Sequence, residues 1–225
     1  RPLTDQPHWA YSARDILLTV GDMVIQCPTP FDSRANELDL YPFLNDCNII
    51  KAPRPRTDDA PRFDAANILK VDDKLIYSLS HSANDAGADW LQKTVGNAYE
   101  VIKWQVVDYE ITHIDSTLLT LDKNTVIVNA SRVKEQDLPN FMQNYKKIWI
   151  DDVVSRDFHN FPYASKWIGM NILSLDPETV LMDDIQTDLK EKLEANKFNV
   201  ITTPMRQSRT LGGGFHCVTN DLERE

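Results

Sequence analysis

The run Asn67-Ile68-Leu69-Lys70-Val71-Asp72-Asp73-Lys74-Leu75-Ile76-Tyr77 reads as two short apolar strands joined by an acidic turn. Two small polar residues between apolar runs are hairpin chemistry, because such side chains tolerate the tight backbone of a short loop. The same shape occurs three more times. Asp15-Ile16-Leu17-Leu18-Thr19-Val20 passes through Gly21-Asp22 into Met23-Val24-Ile25. Thr117-Leu118-Leu119-Thr120-Leu121 passes through Asp122-Lys123-Asn124 into Thr125-Val126-Ile127-Val128. Asn171-Ile172-Leu173-Ser174-Leu175 passes through Asp176-Pro177-Glu178 into Thr179-Val180-Leu181-Met182.

Working outward, each hairpin is followed by a helix-like stretch and then another strand. Leu40–Leu44 precedes Asn48-Ile49-Ile50, Ala88–Lys93 precedes Tyr99–Ile102, and Phe141–Tyr145 precedes Lys147–Ile150. The clearest helix is Ile185–Asn196, with Leu189, Leu193 and Phe198 near helical spacing, ahead of Asn199–Thr202. The period is roughly 50 residues, in the range of radial or stacked arrays. A strand–strand–helix–strand unit cannot bury its own apolar faces, so copies are expected to pack around a shared centre. The expected fold class is therefore α/β, with residues 1–225 as a single domain of repeated units. An ordinary α+β domain with similar hairpins is the competing reading. Ala52–Pro61, with three prolines, reads as a surface linker between the first two units.

The 225 residues are 42% hydrophobic and 26% charged, which fits a globular chain. A net charge of −10 argues against sequence-independent nucleic-acid binding, which needs a basic face. No apolar run reaches the length of a membrane span. Three cysteines (Cys27, Cys47 and Cys217) make a poor disulfide framework and suggest a reducing, cytoplasmic compartment. Their spacing gives no metal site.

Three places could carry chemistry. In Leu211-Gly212-Gly213-Gly214-Phe215-His216-Cys217, consecutive glycines let the backbone approach closely and adopt strained angles. Cys217 is thus either an exposed nucleophile or a small buried hydrophobe. In Thr112-His113-Ile114-Asp115, His113 and Asp115 lie two apart. They face one way if the chain is extended, a proton shuttle beside a carboxylate; a structural histidine at a strand end is the plainer alternative. In Arg62-Phe63-Asp64-Ala65-Ala66-Asn67, Asp64 precedes two small residues that leave room for a ligand, or it is simply a turn aspartate. Asp15, Asp64, His113 with Asp115, and Cys217 share one phase of the repeat. Units arranged around an axis would bring such positions together.

These segments resemble the glycine amidinotransferase family of the pentein superfamily, a five-bladed α/β propeller. The resemblance rests on Gly212-Gly213-Gly214-Phe215-His216-Cys217, Thr112-His113-Ile114-Asp115, Phe63-Asp64-Ala65-Ala66, Arg14-Asp15-Ile16-Leu17, and Ser165-Lys166-Trp167 with Met170-Asn171. It runs from about Ser12 to the C-terminus. It implies a cofactor-free transferase that moves the amidino group of L-arginine to an acceptor amine through a covalent amidino-cysteine, releasing ornithine. The implied roles are Cys217 as nucleophile, His113 as general acid and base, and Asp64 as its orienting carboxylate. Asp15 and Asp115 would grip the guanidinium by charge-assisted hydrogen bonds. Arg132 and Ser165 would hold the donor's α-carboxylate. Thiolate chemistry suits a delocalised, weakly electrophilic guanidinium.

Two features set this chain apart from the glycine enzymes. The first hairpin begins at Asp15, so an N-terminal fifth unit is expected to be incomplete: either the variant is compact and closed differently or by a partner, a homodimer being one possibility, or residues upstream are missing from this sequence. Glu110-Ile111-Thr112 stands where those enzymes carry Asn-Pro-Met. Glu110 and Thr112 are therefore expected at the acceptor pocket, with an acceptor of glycine or another small amine. A guanidine hydrolase using the same residues with water as acceptor, and a truncated arginine-binding relative, are the alternatives.

Overall fold

The computed structural model describes residues 10–44, 47–54, 57, 59–106, 113–155 and 165–222. These fall into two compact units. One holds residues 10–105, His113 and residues 219–222; the other holds Val106 and residues 114–218. Among the described residues, the chain passes from one to the other between Gln105 and Val106, between His113 and Ile114, and between Val218 and Thr219.

The first unit contains two three-stranded sheets of one construction. β1 (Leu17–Val20) pairs antiparallel with β2 (Met23–Gln26), and β2 pairs parallel with β3 (Ile49–Lys51). Likewise β4 (Ile68–Val71) pairs antiparallel with β5 (Lys74–Leu79), and β5 pairs parallel with β6 (Glu100–Gln105). A parallel return requires a crossover, and α1 (Asp85–Val95) supplies it in the second sheet. Asn84 caps α1 by accepting from the Gly87 amide at 2.9 Å. Ala88, Leu91 and Val95 bury one face, and Gly96, at φ +63°, ends the helix. These residues share a core with Val20, Ile25, Phe63, Leu75 and Tyr77. In the first sheet the crossover is made of 3-10 turns at Asp32–Arg34, Glu37–Leu40 and Pro42–Leu44 instead of an α-helix. The helix-like reading of Leu40–Leu44 thus becomes a turn, in keeping with Pro42, which has no backbone N–H to donate.

The second unit repeats the pattern. β7 (Leu118–Asp122) is antiparallel to β8 (Thr125–Asn129), and β8 is parallel to β9 (Lys146–Ile150). All five residues of β8 are buried. The crossover expected at Phe141–Tyr145 is again only a 3-10 turn, Asn140–Met142, directly after Pro139. In the last sheet β10 (Leu173–Ser174) is antiparallel to β11 (Thr179–Asp183). α2 (Thr187–Ala195) then carries the chain to β12 (Asn199–Thr203), parallel to β11. β10 is shorter than its sequence suggests, because Asn171 and Ile172 donate backwards to Ile168 and Met170 at 3.0 and 2.8 Å. α3 (Arg206–Leu211) ends at Gly212, whose φ of +100° favours glycine.

A 3-10 turn enters every sheet: Ala13–Asp15, Ala65–Asn67, Ile114–Ser116 and Lys166–Met170. Asp15 ends the first, Asp64 precedes the second, Asp115 sits within the third, and Asn171 follows the fourth. The repeat therefore places a polar residue in or beside each entering turn, though not at one fixed step. Among the described residues, no helix is long and apolar enough to cross a membrane.

Candidate active site

In the first unit, Asp15, Asp64 and His113 converge from three places far apart in sequence. His113 Nε2 lies 3.1 Å from Asp64 Oδ2, and its Nδ1 lies 3.7 Å from Asp15 Oδ1. Asp64 is 1% exposed and Asp15 4%, whereas the His113 side chain is 20% exposed. The ring is thus clamped between two buried carboxylates with part of its surface open. Asn67 Oδ1 accepts from the Asp64 amide at 2.9 Å and fixes the turn that presents the carboxylate. Asn67 is itself held by Ser80 and Ser82. Asp64 Oδ1 and Asp15 Oδ1 accept no hydrogen bond among the described residues. Buried acceptors left unpaired are costly.

Sequence reasoning missed the partner of Asp15. Arg34, 3% exposed, forms an ion pair with Asp15 Oδ2. Its Nε and Nη2 bind Glu37 Oε1 and Oε2, both at 2.9 Å, in a forked pair, and Nη2 also donates to the Ser12 carbonyl at 3.0 Å. Burial pushes the Asp15 carboxyl above its ordinary value; His113 and Arg34 pull it down, and Asp64 pushes it further up. Burial likewise raises Glu37 against the pull of Arg34. Burial works against the Arg34 charge, but Asp15 and Glu37 more than reverse this, so its pKa is raised. One arginine and two acids leave this cluster acidic before Asp64 is counted. The Cys27 thiol is pushed well up by burial, then by Asp64 and Asp15, which makes it an inert core sulfur.

In the second unit, Cys217 Sγ lies 3.4 Å from Asp115 Oδ2, and His216 Nδ1 lies 2.9 Å from the same oxygen. Cys217 is 4% exposed and Asp115 2%. The glycine run makes this possible. A Cβ on Gly214 would sit 2.6 Å from both Cβ and Oδ1 of Asn171, so only glycine lets the turn close on that side chain. Asn171 then holds the turn at three points: its Oδ1 accepts from the Cys217 amide at 3.0 Å, and its carbonyl accepts from Phe215 and His216 at 2.9 and 3.4 Å. Arg132 Nη1 donates to Ser116 O, Ser116 Oγ and Thr117 Oγ1 at 3.1, 3.0 and 3.0 Å. Its guanidinium lies over the Trp167 ring at 5.9 Å. Ser165 Oγ accepts from the Trp167 amide at 3.2 Å and caps the turn carrying that ring. The two expected carboxylate-holding residues therefore meet on Trp167. Glu110 and Thr112, expected at the acceptor pocket, lie outside the described residues. No group of three or more metal-ligating side chains occurs among the described residues.

No known protein-family model matches the sequence. The chain is 37% identical over 237 residues to inosamine-phosphate amidinotransferase 1 of Streptomyces griseus, covering 95% of this chain and 68% of that protein. The chain belongs to the amidinotransferase family. The solved structure of the Streptomyces griseus enzyme matches this amidinotransferase with a TM-score of 0.86 at 36% identity, over 95% of this chain and 68% of that one. It shows the pentein-like α/β fold of small mixed sheets and helices that the motif resemblance implies. The mitochondrial glycine amidinotransferase of Gallus gallus is more distant, at 26% identity over 96% of this chain and 60% of that protein. The resemblance read from the motifs thus holds at the level of the family, while the similarity leans towards the inosamine-phosphate enzyme.

Proposed function

We propose that this amidinotransferase takes the amidino group from L-arginine and delivers it to a phosphorylated aminocyclitol amine, an inosamine phosphate, through a covalent intermediate on Cys217. The observation that carries the reading is the thiol of Cys217 beside the carboxylate of Asp115. A guanidinium paired with that carboxylate would present its carbon next to the sulfur. It would also neutralise the charge that otherwise opposes a thiolate there. The other guanidinium nitrogens call for further acceptors, and the motif resemblance gives that role to Asp15. Arg132 and Ser165 would take the α-carboxylate of arginine.

The steps follow from these roles. The Cys217 thiolate attacks the guanidinium carbon and forms a C–S bond. The bond from that carbon to the ornithine nitrogen breaks, and His113, oriented by Asp64, gives the departing amine its proton. The acceptor amine then attacks the same carbon, His113 takes its proton, and the C–S bond breaks to return the thiolate. The inosamine-phosphate acceptor is preferred to glycine because of the 37% identity to the Streptomyces griseus enzyme against 26% to the glycine enzyme.

The test is to supply arginine with an inosamine phosphate, glycine or lysine in parallel and assay ornithine and the guanidino product. Ornithine release dependent on the inosamine phosphate supports the reading. Release with glycine alone would overturn the acceptor assignment. Citrulline formation without any acceptor would make the protein a hydrolase.

A further inference from the structure

Beside the turn that carries Cys217, the second unit has a small, partly open chamber of about 10 Å³, whose lining includes Asn171, Asp183, Arg209 and Gly214. Three of these bring buried polar atoms without a hydrogen bond among the described residues: Asn171 Nδ2, Asp183 Oδ2, and all three guanidinium nitrogens of Arg209. Arg209 is 3% exposed, and its contact with Asp183 Oδ2, at 3.4 Å, is an ion pair without hydrogen-bond geometry. The other oxygen of Asp183 is committed to Arg206 Nη1 at 2.7 Å. A buried guanidinium with no hydrogen bond is among the costliest arrangements a fold can hold.

The chemistry of the lining selects the occupant. Arg209 and the Asn171 Nδ2 offer only donors, and the guanidinium is itself a cation, which disfavours a second cation. Asp183 Oδ2 needs a donor, which a halide cannot supply. Water accepts two hydrogen bonds and donates two, and the chamber has room for about one molecule. We propose that this chamber binds a single water that joins Arg209 and Asp183 to Asn171, making Arg209 a positioning residue for the nucleophile turn. Asn171 is the link: it lines the chamber, its Oδ1 holds the Cys217 amide, and its Nδ2 is buried without a hydrogen bond among the described residues. A fixed Nδ2 fixes the amide plane, and with it the backbone on which Cys217 stands. The water site is independent of the proposed reaction; only its consequence for Cys217 reactivity bears on that reading.

The experiment is a high-resolution crystal structure of the whole chain, with a bromide soak as a control for anions, and the pH profile of Cys217 alkylation in Arg209→Met and Arg209→Lys. The expected structure has one water peak within hydrogen-bond distance of Arg209, Asn171 Nδ2 and Asp183 Oδ2. A dry chamber, or a bromide anomalous peak in it, overturns the proposal. Arg209→Met should slow Cys217 alkylation several-fold and shift its pH profile, while Arg209→Lys, which keeps a donor to the water, should lie between. If Arg209→Met does not fold, Arg209→Lys decides: a profile superimposable on that of the parent protein rejects the positioning role. Alkylation reads the thiol directly, so this result stands whether or not arginine proves to be the donor.

Discussion

His113 Nε2 sits 3.1 Å from a carboxylate oxygen of Asp64 that is almost entirely buried, although the two residues are 49 positions apart. The second ring nitrogen faces Asp15 at 3.7 Å. A histidine held between two carboxylates is fixed in orientation and well suited to carry a proton to a leaving amine and back.

Asp64→Asn should therefore lower kcat by roughly 10²-fold or more, in the range of a lost acid–base contribution. Arginine binding, measured calorimetrically in a Cys217→Ala background to prevent turnover, should change little. A kcat near that of the parent protein would contradict the orienting role.

The charge state of Asp15 gives a prediction in pH. Its carboxyl is raised above the ordinary value of 3.8, chiefly by burial. Above its folded pKa it is an anion and can pair with a guanidinium; below it is neutral and cannot. Arginine affinity in Cys217→Ala should hold at neutral pH and weaken on acidification, starting above the range of a normal aspartate. The same shift has an opposite sign for stability. The folded state retains a proton that the unfolded chain releases, so this group's contribution to stability is present below 3.8 and lost as pH rises through the folded pKa. Affinity that stays flat until acid unfolding would remove Asp15 from the binding set.

Arg34 holds two buried acids, and its loss should be felt in stability first. Arg34→Met leaves Asp15 and Glu37 without their cation and is expected to cost about 3–5 kcal/mol in urea unfolding. A loss below about 1 kcal/mol, the scale of a surface pair, would show that the cluster is not what holds this turn.

Gly214→Ala tests the fit of the nucleophile turn. The added methyl would meet Asn171 at 2.6 Å, so the turn must shift and the bond from the Cys217 amide to Asn171 should be lost. Displacing a reacting group by about 1 Å can cost on the order of 10²-fold in rate. Turnover should fall by that order while the thermal transition stays cooperative. Unchanged turnover would mean that the Asn171 contact does not position the thiol.

Much of this was legible in the sequence, because a repeat marks its own starting points. Asp15, Asp64 and Asp115 lie in or beside the turns that enter the sheets, and those turns could be located from the hairpins alone. Arg34 and Glu37 could not be found in that way. They lie in 3-10 turns, without hairpin or helical periodicity, and their importance comes from a contact with Asp15 that no local pattern reports. Asn171 and His216 stood inside quoted motifs, yet their roles depend on close approaches across the fold, one of them allowed by a missing side chain at Gly214. The short stretches Leu40–Leu44 and Phe141–Tyr145 carried helical character but formed only 3-10 turns, with prolines at or just before their starts. Cys47 is exposed and Cys217 buried, so accessibility alone does not pick out the nucleophile, and protection by substrate is the better criterion.

The most direct test is the mass of the intact protein after incubation with arginine alone, followed by an acid quench and peptide mapping. The account predicts a gain of one amidino group, confined to Cys217, absent in Cys217→Ser, and discharged on addition of inosamine phosphate. An unmodified Cys217 under conditions where product forms, or an adduct on Cys27 or Cys47 instead, would contradict it.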